Sequence, residues 1–170
     1  MYAGNVVGDY LMPDRFLPGY RKGIPSRLLH CLDSKSVRYQ VQHEPDGPEQ
    51  IRRSSHRIGL IHTAVVRVGK GRAMAVLSGG RDMDLKKFTR LTGEPVRLET
   101  EDEFKWLFPD CTLGAIPPFG NLYGLPTWVD KSVAEKEQIT FFAGTLIDSI
   151  RLPYSAYEEM VRPNVGEFSR

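Results

Sequence analysis

Residues able to do chemistry are few in this chain and lie far apart. His30, His43, His56 and His62 share no HExxH-like spacing, and Cys31 and Cys111 fit no CxxC or Cys/His ligand pattern. Neither set marks a metal site, so no metal and no cofactor is expected, and the cysteines read as free buried thiols. His62 lies in the run IHTAVVRV. Strand alternation would place it with Ala64, Val66 and Val68, opposite Ile61, Thr63, Val65 and Arg67. A histidine on that small apolar face is either a satisfied core residue or a base and hydrogen-bond donor that is mostly neutral near pH 7.

A second stretch with chemical potential is LGAIPPFGNLYGLPTWVD, residues 113–130. Its glycines (Gly114, Gly120, Gly124) and prolines (Pro117, Pro118, Pro126) forbid a regular helix or central strand, yet it is too apolar for an exposed linker. It reads as a fixed loop packed against a pocket. Charge supplies the third signal. Residues 51–90 hold ten Lys/Arg (Arg52, Arg53, Arg57, Arg67, Lys70, Arg72, Arg81, Lys86, Lys87, Arg90) against Asp82 and Asp84, a local +8 within a chain of net charge +2. Either these are scattered solvated charges, or folding gathers them into a basic side suited to a polyanion.

The elements that would position these residues can be read from periodicity. Residues 1–23 carry Gly4, Gly8, Pro13, Pro18, Gly19 and Gly23 without a sustained period. They read as an irregular arm whose aromatics (Tyr2, Tyr10, Phe16, Tyr20) pack on the domain or on a partner. The folded domain is expected over residues 24–170. Ser26 is a candidate cap for a helix with Leu28, Leu29 and Leu32 on one face. A strand over residues 38–43 and a polar helix over 49–57 follow. Residues 61–68 and 72–78, joined by Gly69-Lys70-Gly71, read as a hairpin. Asp84 starts a helix that Gly93 ends. Thr100 with Glu103, and Ser155 with Glu158, are candidate capping boxes. Residues 127–130, 139–144 and 149–152 read as strands. The order lacks regular βαβ alternation, which predicts an α+β (mixed α/β) fold.

A chain of 170 residues, 41% hydrophobic and 26% charged, suits one domain with its own core. Its apolar runs fall well short of the ~20 residues of a membrane helix, and the N-terminus lacks a secretory pattern. A soluble cytoplasmic protein without a membrane partner is expected.

Four stretches carry a family likeness: the basic strand pair ending in AMAVLSGGRDMDLKKF, the loop GAIPPFGNLYGLPTWVD, the strand ending in FFAGT, and the closing segment DSIRLPYSAYEEMV with its terminal PNVGEFS. In order and spacing, from residue 25 to residue 169, the chain resembles the YbaK/ProX-type aminoacyl-tRNA deacylases, which include the prolyl-tRNA-synthetase-associated editing domains. The resemblance implies a six- to seven-stranded, largely antiparallel, barrel-like mixed sheet surrounded by helices. It also implies hydrolysis of the ester between a wrong amino acid and tRNA. Aminoacyl-tRNA would be the partner, with an aminoacyl-tRNA synthetase as a second candidate. Such an ester is already reactive, so the site mainly holds the acyl group, positions a water and stabilises an oxyanion. On the resemblance, the loop residues Gly114, Ile116, Pro117, Pro118, Phe119 and Gly120 would form one wall and supply backbone donors. Gly144, Thr145 and Leu146 would form the other.

Two departures accompany the match. The family places a lysine at the start of the strand before the hairpin, where this chain has His62. The family's AGTH reads Ala143-Gly144-Thr145-Leu146 here, an aliphatic side chain in place of a histidine. Either His62 and Thr145 take over the polar work, or the pocket binds with little turnover. The expected phosphate contacts are Arg52, Arg53, Arg57, Arg81, Lys86 and Lys87.

Overall fold

The computed structural model describes residues 23–55 and 59–170. In chain order the elements are α1 (Ser26–Ser34), β1 (Gln40–His43), α2 (Pro48–Ser55), β2 (Ile61–Val68), β3 (Gly71–Ser78), α3 (Leu85–Thr92), β4 (Val96–Leu98) and α4 (Glu101–Phe104). There follow β5 (Thr127–Asp130), α5 (Lys131–Ala134), β6 (Gln138–Phe142), β7 (Asp148–Pro153), α6 (Tyr154–Val161) and β8 (Asn164–Gly166). The arm expected over residues 1–23 falls, except for Gly23, outside the described residues, as do His56 and Arg57.

The hairpin β2–β3 is the frame. Its strands pair antiparallel from Ile61↔Ser78 to Val68↔Gly71. The two-residue turn is allowed by Gly69 at φ +56°, where a Cβ would be strained. β4 extends the far end of β2, while β5 runs parallel to β3 and β8 parallel to β5, giving the order β4-β2-β3-β5-β8. β3 is thus central, and everything from Ala73 to Ser78 is buried because both faces of this sheet are covered. One face packs Ile61, Val65, Met74, Val76 and Val129 with α1, α6 and the second sheet. The other packs Val66, Ala73, Ala75 and Leu77 on Phe88 of α3, whose ring stacks on Phe168 with centroids 4.2 Å apart.

The second sheet is antiparallel, with order β1-β7-β6. One parallel bridge, Leu60 to Thr140, links the two sheets, with the Thr140 N–H donating to the Gly59 carbonyl at 3.2 Å. The fold is α+β as expected, but the strands form sheets of three and five and do not close into a barrel. The bridge is one residue long, and β4 and β8 are three-residue strands at the edges.

Helix ends follow local chemistry. Asp84 caps α3, its carboxylate accepting from the Lys86 and Lys87 N–H groups, and Gly93 closes it in the left-handed region. Glu103 reaches back to the Thr100 N–H at 2.8 Å. Two expected caps are corrected. Pro25 holds the N-cap position of α1, so Ser26 is already helical, and Pro153 does the same for α6, which puts Ser155 inside the first turn. A proline sets the extended entry that a serine cap would otherwise stabilise.

The C-terminal segment is fastened to the sheet by Asp130, which is 1% exposed. Its carboxylate accepts from the Phe168 N–H (2.8 Å), the Ser169 N–H (2.9 Å), the Ser169 hydroxyl (2.9 Å) and the Ser132 N–H (3.0 Å). Burial by itself would raise this pKa, but the hydrogen bonds from Ser132, Phe168 and Ser169 prevail and hold it below the usual carboxylate value.

Candidate active site

A cleft of about 560 Å³ opens where β2 begins and β3 ends, lined by Gly79, Gly80, His62, Thr63, Gly114 and Ile116 among others. The hairpin register explains the opening. His62 faces Leu77 across the ladder, and the next residues of β3's strand direction beyond Ser78 are Gly79 and Gly80, which have no side chains to cover it. His62 is exposed to the cleft and makes no hydrogen bond or ion pair among the described residues, whereas Val66, on the same face, is fully buried. The cleft walls partly desolvate its ring and hold its pKa below the ordinary 6.5, opposed in part by the charge of Asp82. It is therefore neutral at pH 7.

The apolar loop contributes Gly114 and Ile116 to the cleft lining and is held at several points. The Thr63 hydroxyl donates to the Ile116 carbonyl at 3.1 Å, and the buried Tyr157 hydroxyl donates to the Pro118 carbonyl at 2.6 Å. Gly120 is pressed against Thr127 and the Leu125 backbone, where a Cβ would sit 2.8 Å from the Leu125 carbonyl oxygen. The N–H groups of Gly114 and Ile116 donate no hydrogen bond among the described residues. A rigid loop with two uncommitted donors beside a neutral histidine can orient a water and receive developing negative charge.

The remaining expected residues are placed differently. Phe119 is fully buried in the first core, and Pro117, Pro118 and Gly120 are buried behind the cleft wall. The Gly144 N–H donates to the Ala115 carbonyl at 2.8 Å and its own carbonyl accepts from the Thr112 N–H. Gly144 is also in contact with Pro25, at φ +86°. The Thr145 hydroxyl donates to buried Asp148 at 2.5 Å and lies outside the cleft lining. The His43 ring nitrogen contacts the other oxygen of Asp148, so the carboxylate stands between His43 and Thr145, and no hydroxyl–imidazole pair forms. Leu146 packs with Ile51, Ala115 and Phe142. Cys111 is no nucleophile: burial, chiefly, pushes its thiol up to about 11, with Asp110 adding to that against the hydrogen bond from Tyr123.

Of the expected phosphate contacts, Arg52 lines the cleft, paired with Glu49 at 3.0 Å and lying over the Phe142 ring. Arg57 is outside the described residues, and so is the side chain of Arg53. Arg81, Lys86 and Lys87 lie on the approach to α3 and its first turn; Lys87 contacts Glu167 at 3.4 Å. Gly79, Gly80 and Lys136 line the cleft without having been singled out from sequence. The hairpin register could have found the two glycines, since it brings the end of β3 beside the start of β2.

Residues 45–160 match the model of the aminoacyl-tRNA editing domain. No curated protein matches the chain. Among solved structures, the chain is similar to a candidate trans-editing enzyme for prolyl tRNA synthetase, with 22% identity, covering 85% of this chain and 95% of that one at a TM-score of 0.71. It is also similar to a hypothetical protein with 14% identity, covering 85% and 100%, at a TM-score of 0.73. A candidate signal transduction protein from Marinobacter aquaeolei VT8 matches over 86% of this chain and 31% of its own, with 18% identity and a TM-score of 0.70. At these identities the structural likeness establishes the fold.

Proposed function

Because the chain belongs to the aminoacyl-tRNA editing domain family, we propose that it is a trans-acting deacylase that hydrolyses a mischarged aminoacyl-tRNA in a site rebuilt around His62. The domain over residues 24–170 carries the activity, and the cytoplasm, where its substrate circulates, is its place. The observation that carries this reading is His62, neutral and without a partner among the described residues, in an open cleft that is also lined by Gly114 and Ile116, whose N–H groups donate no hydrogen bond among those residues. His62 takes a proton from a water that attacks the ester carbonyl carbon. The Gly114 and Ile116 N–H groups hold the developing oxyanion. The bond between the carbonyl carbon and the ribose oxygen then breaks, His62 returns the proton to that oxygen, and free amino acid and uncharged tRNA leave. Gly144 supports the loop through the Ala115 carbonyl, while Thr145 is held by Asp148 of β7. The apolar wall of Ile116 and Phe142 suits a small aliphatic side chain on the acyl group, read by a second sieve because one pocket separates a methylene poorly.

The test is a screen of mischarged tRNAs for amino-acid release, followed by His62→Ala. Release from at least one pair is expected, with a loss of ~10²-fold or more in the variant and tRNA affinity nearly unchanged. A second reading, a module that binds tRNA or a partner without turnover, is favoured by Leu146, whose side chain is absorbed into apolar packing where the family has a histidine. Saturable, salt-sensitive tRNA binding with no release from any pair would select it and remove the enzymatic reading.

A further inference from the structure

The cleft contains a cation that neither the sequence pattern nor the family's strand position predicts. Lys136 follows α5, its N–H bonded to the Val133 carbonyl at 3.0 Å, and its side chain lines the cleft. Its stem lies along Gly59, which is at φ +79°. A Cβ there would sit 2.7 Å from Lys136 Cδ and 3.3 Å from the Gln138 carbonyl, so a side chain at this left-handed position would be strained and would push the stem aside. Lys136 makes no ion pair or hydrogen bond through its side chain among the described residues, and no carboxylate is among the residues lining the cleft. Arg52, the other cation there, is shared between Glu49 and the Phe142 ring. The lining thus carries two cations and no carboxylate, and one of the cations, the Lys136 ammonium, is uncommitted among the described residues.

We propose that the Lys136 ammonium binds the phosphate of the substrate's 3′-terminal nucleotide, supplying within the same cleft the positive charge that His62 does not carry. This rests on the deacylase reading for the identity of the ligand, while the anion site itself follows from the geometry. An ammonium is a point charge that needs no fixed fork to hold a phosphate oxygen, so it can act from a flexible stem once the stem is aimed. Its role is binding, distinct from the proton transfer at His62.

The experiment uses the full chain and compares adenosine 5′-monophosphate with adenosine, then uncharged tRNA, by titration. The wild type is expected to prefer the monophosphate. Lys136→Met, which keeps an apolar stem against Gly59, should abolish that preference and weaken tRNA binding by ~10-fold, with the slope of log affinity against log salt shallower by about 0.7. Lys136→Arg should retain both. In deacylation, Lys136→Met should raise KM and leave kcat within ~3-fold, because a contact made equally in ground and transition states changes binding alone. Equal binding of adenosine and its monophosphate by the wild type would overturn the proposal, as would a Lys136→Met variant with unchanged preference and slope. A Lys136-dependent preference without deacylation of any charged tRNA would uphold the anion site and sink the enzymatic reading instead.

Discussion

A histidine that stays neutral at pH 7 is ready to accept a proton, and partial desolvation by the cleft is what keeps His62 so. The enzyme-dependent rate, after subtraction of the buffer rate, should therefore be level at neutral pH. It should fall as pH drops through the His62 pKa, with the inflection below 6.5 because desolvation favours the neutral ring. His62→Ala should lose that acidic limb together with the rate. An inflection at or above 6.5 would mean that the limb belongs to another group. At this scale the sequence was only partly informative. Alternation placed His62 on a small apolar face, but whether the face is covered at that end depends on Gly79 and Gly80, two positions beyond the ladder. Lys136 gave no signal at all, since it sits in an exposed, polar turn and reaches the cleft only because the Leu60–Thr140 bridge brings β6 against Gly59.

Longer elements were legible where one local rule dominated. The hairpin followed from β-branched alternation around Gly69, and α3 from a capping aspartate and a closing glycine. β4, α5 and β8 were missed because three or four residues hold no period, and their conformations are dictated by partners distant in sequence. The β5–β8 pair shows how such a short element is kept in place. Asp130 at the end of β5 gathers five donors, two of them backbone N–H groups of the terminal segment, and the same segment sets Phe168 on Phe88. Asp130→Ala should lower stability by on the order of 2–4 kcal/mol, since hydrogen bonds to a charged group are strong and the stranded N–H groups remain buried. Urea unfolding at constant m-value measures it, and a loss under ~1 kcal/mol would show that water replaces the carboxylate. The sign with pH is fixed by the lowered pKa of Asp130. Its contribution is present above the unfolded value near ~3.9 and disappears as pH falls through the lower folded value, so wild type and variant should converge in acid.

For the whole molecule, the +8 of residues 51–90 overstates the charge offered to a polyanion. Arg67 and Arg72 both point at Glu99, each 2.7 Å from one of its oxygens, and the Glu99 side chain is inaccessible to solvent. These two arginines serve to neutralise a buried carboxylate between β2, β3 and the entry to α4. Lys87 is drawn toward Glu167 and the Ser169 carbonyl. On the proposed reading, the described cations left for RNA are Lys70, Lys86 and Arg90, exposed and without an ion pair among the described residues, with Arg81, which donates to the Ser169 hydroxyl at 3.2 Å, and with Lys136 and Arg52 at the cleft. On that reading the charges divide into a structural set and a contacting set, and the division can be measured. Arg72→Ala should cost on the order of 1–3 kcal/mol in unfolding free energy, as one of the two partners of a buried carboxylate is lost, and leave the salt dependence of tRNA binding unchanged. Lys86→Ala and Arg81→Ala should each leave the cleft and its kcat untouched while flattening the plot of log affinity against log salt by about 0.7–0.9. If Arg72→Ala flattened the slope as much as Lys86→Ala does, the basic segment would be one continuous contact surface, and the buried Glu99 would not be what holds its arginines.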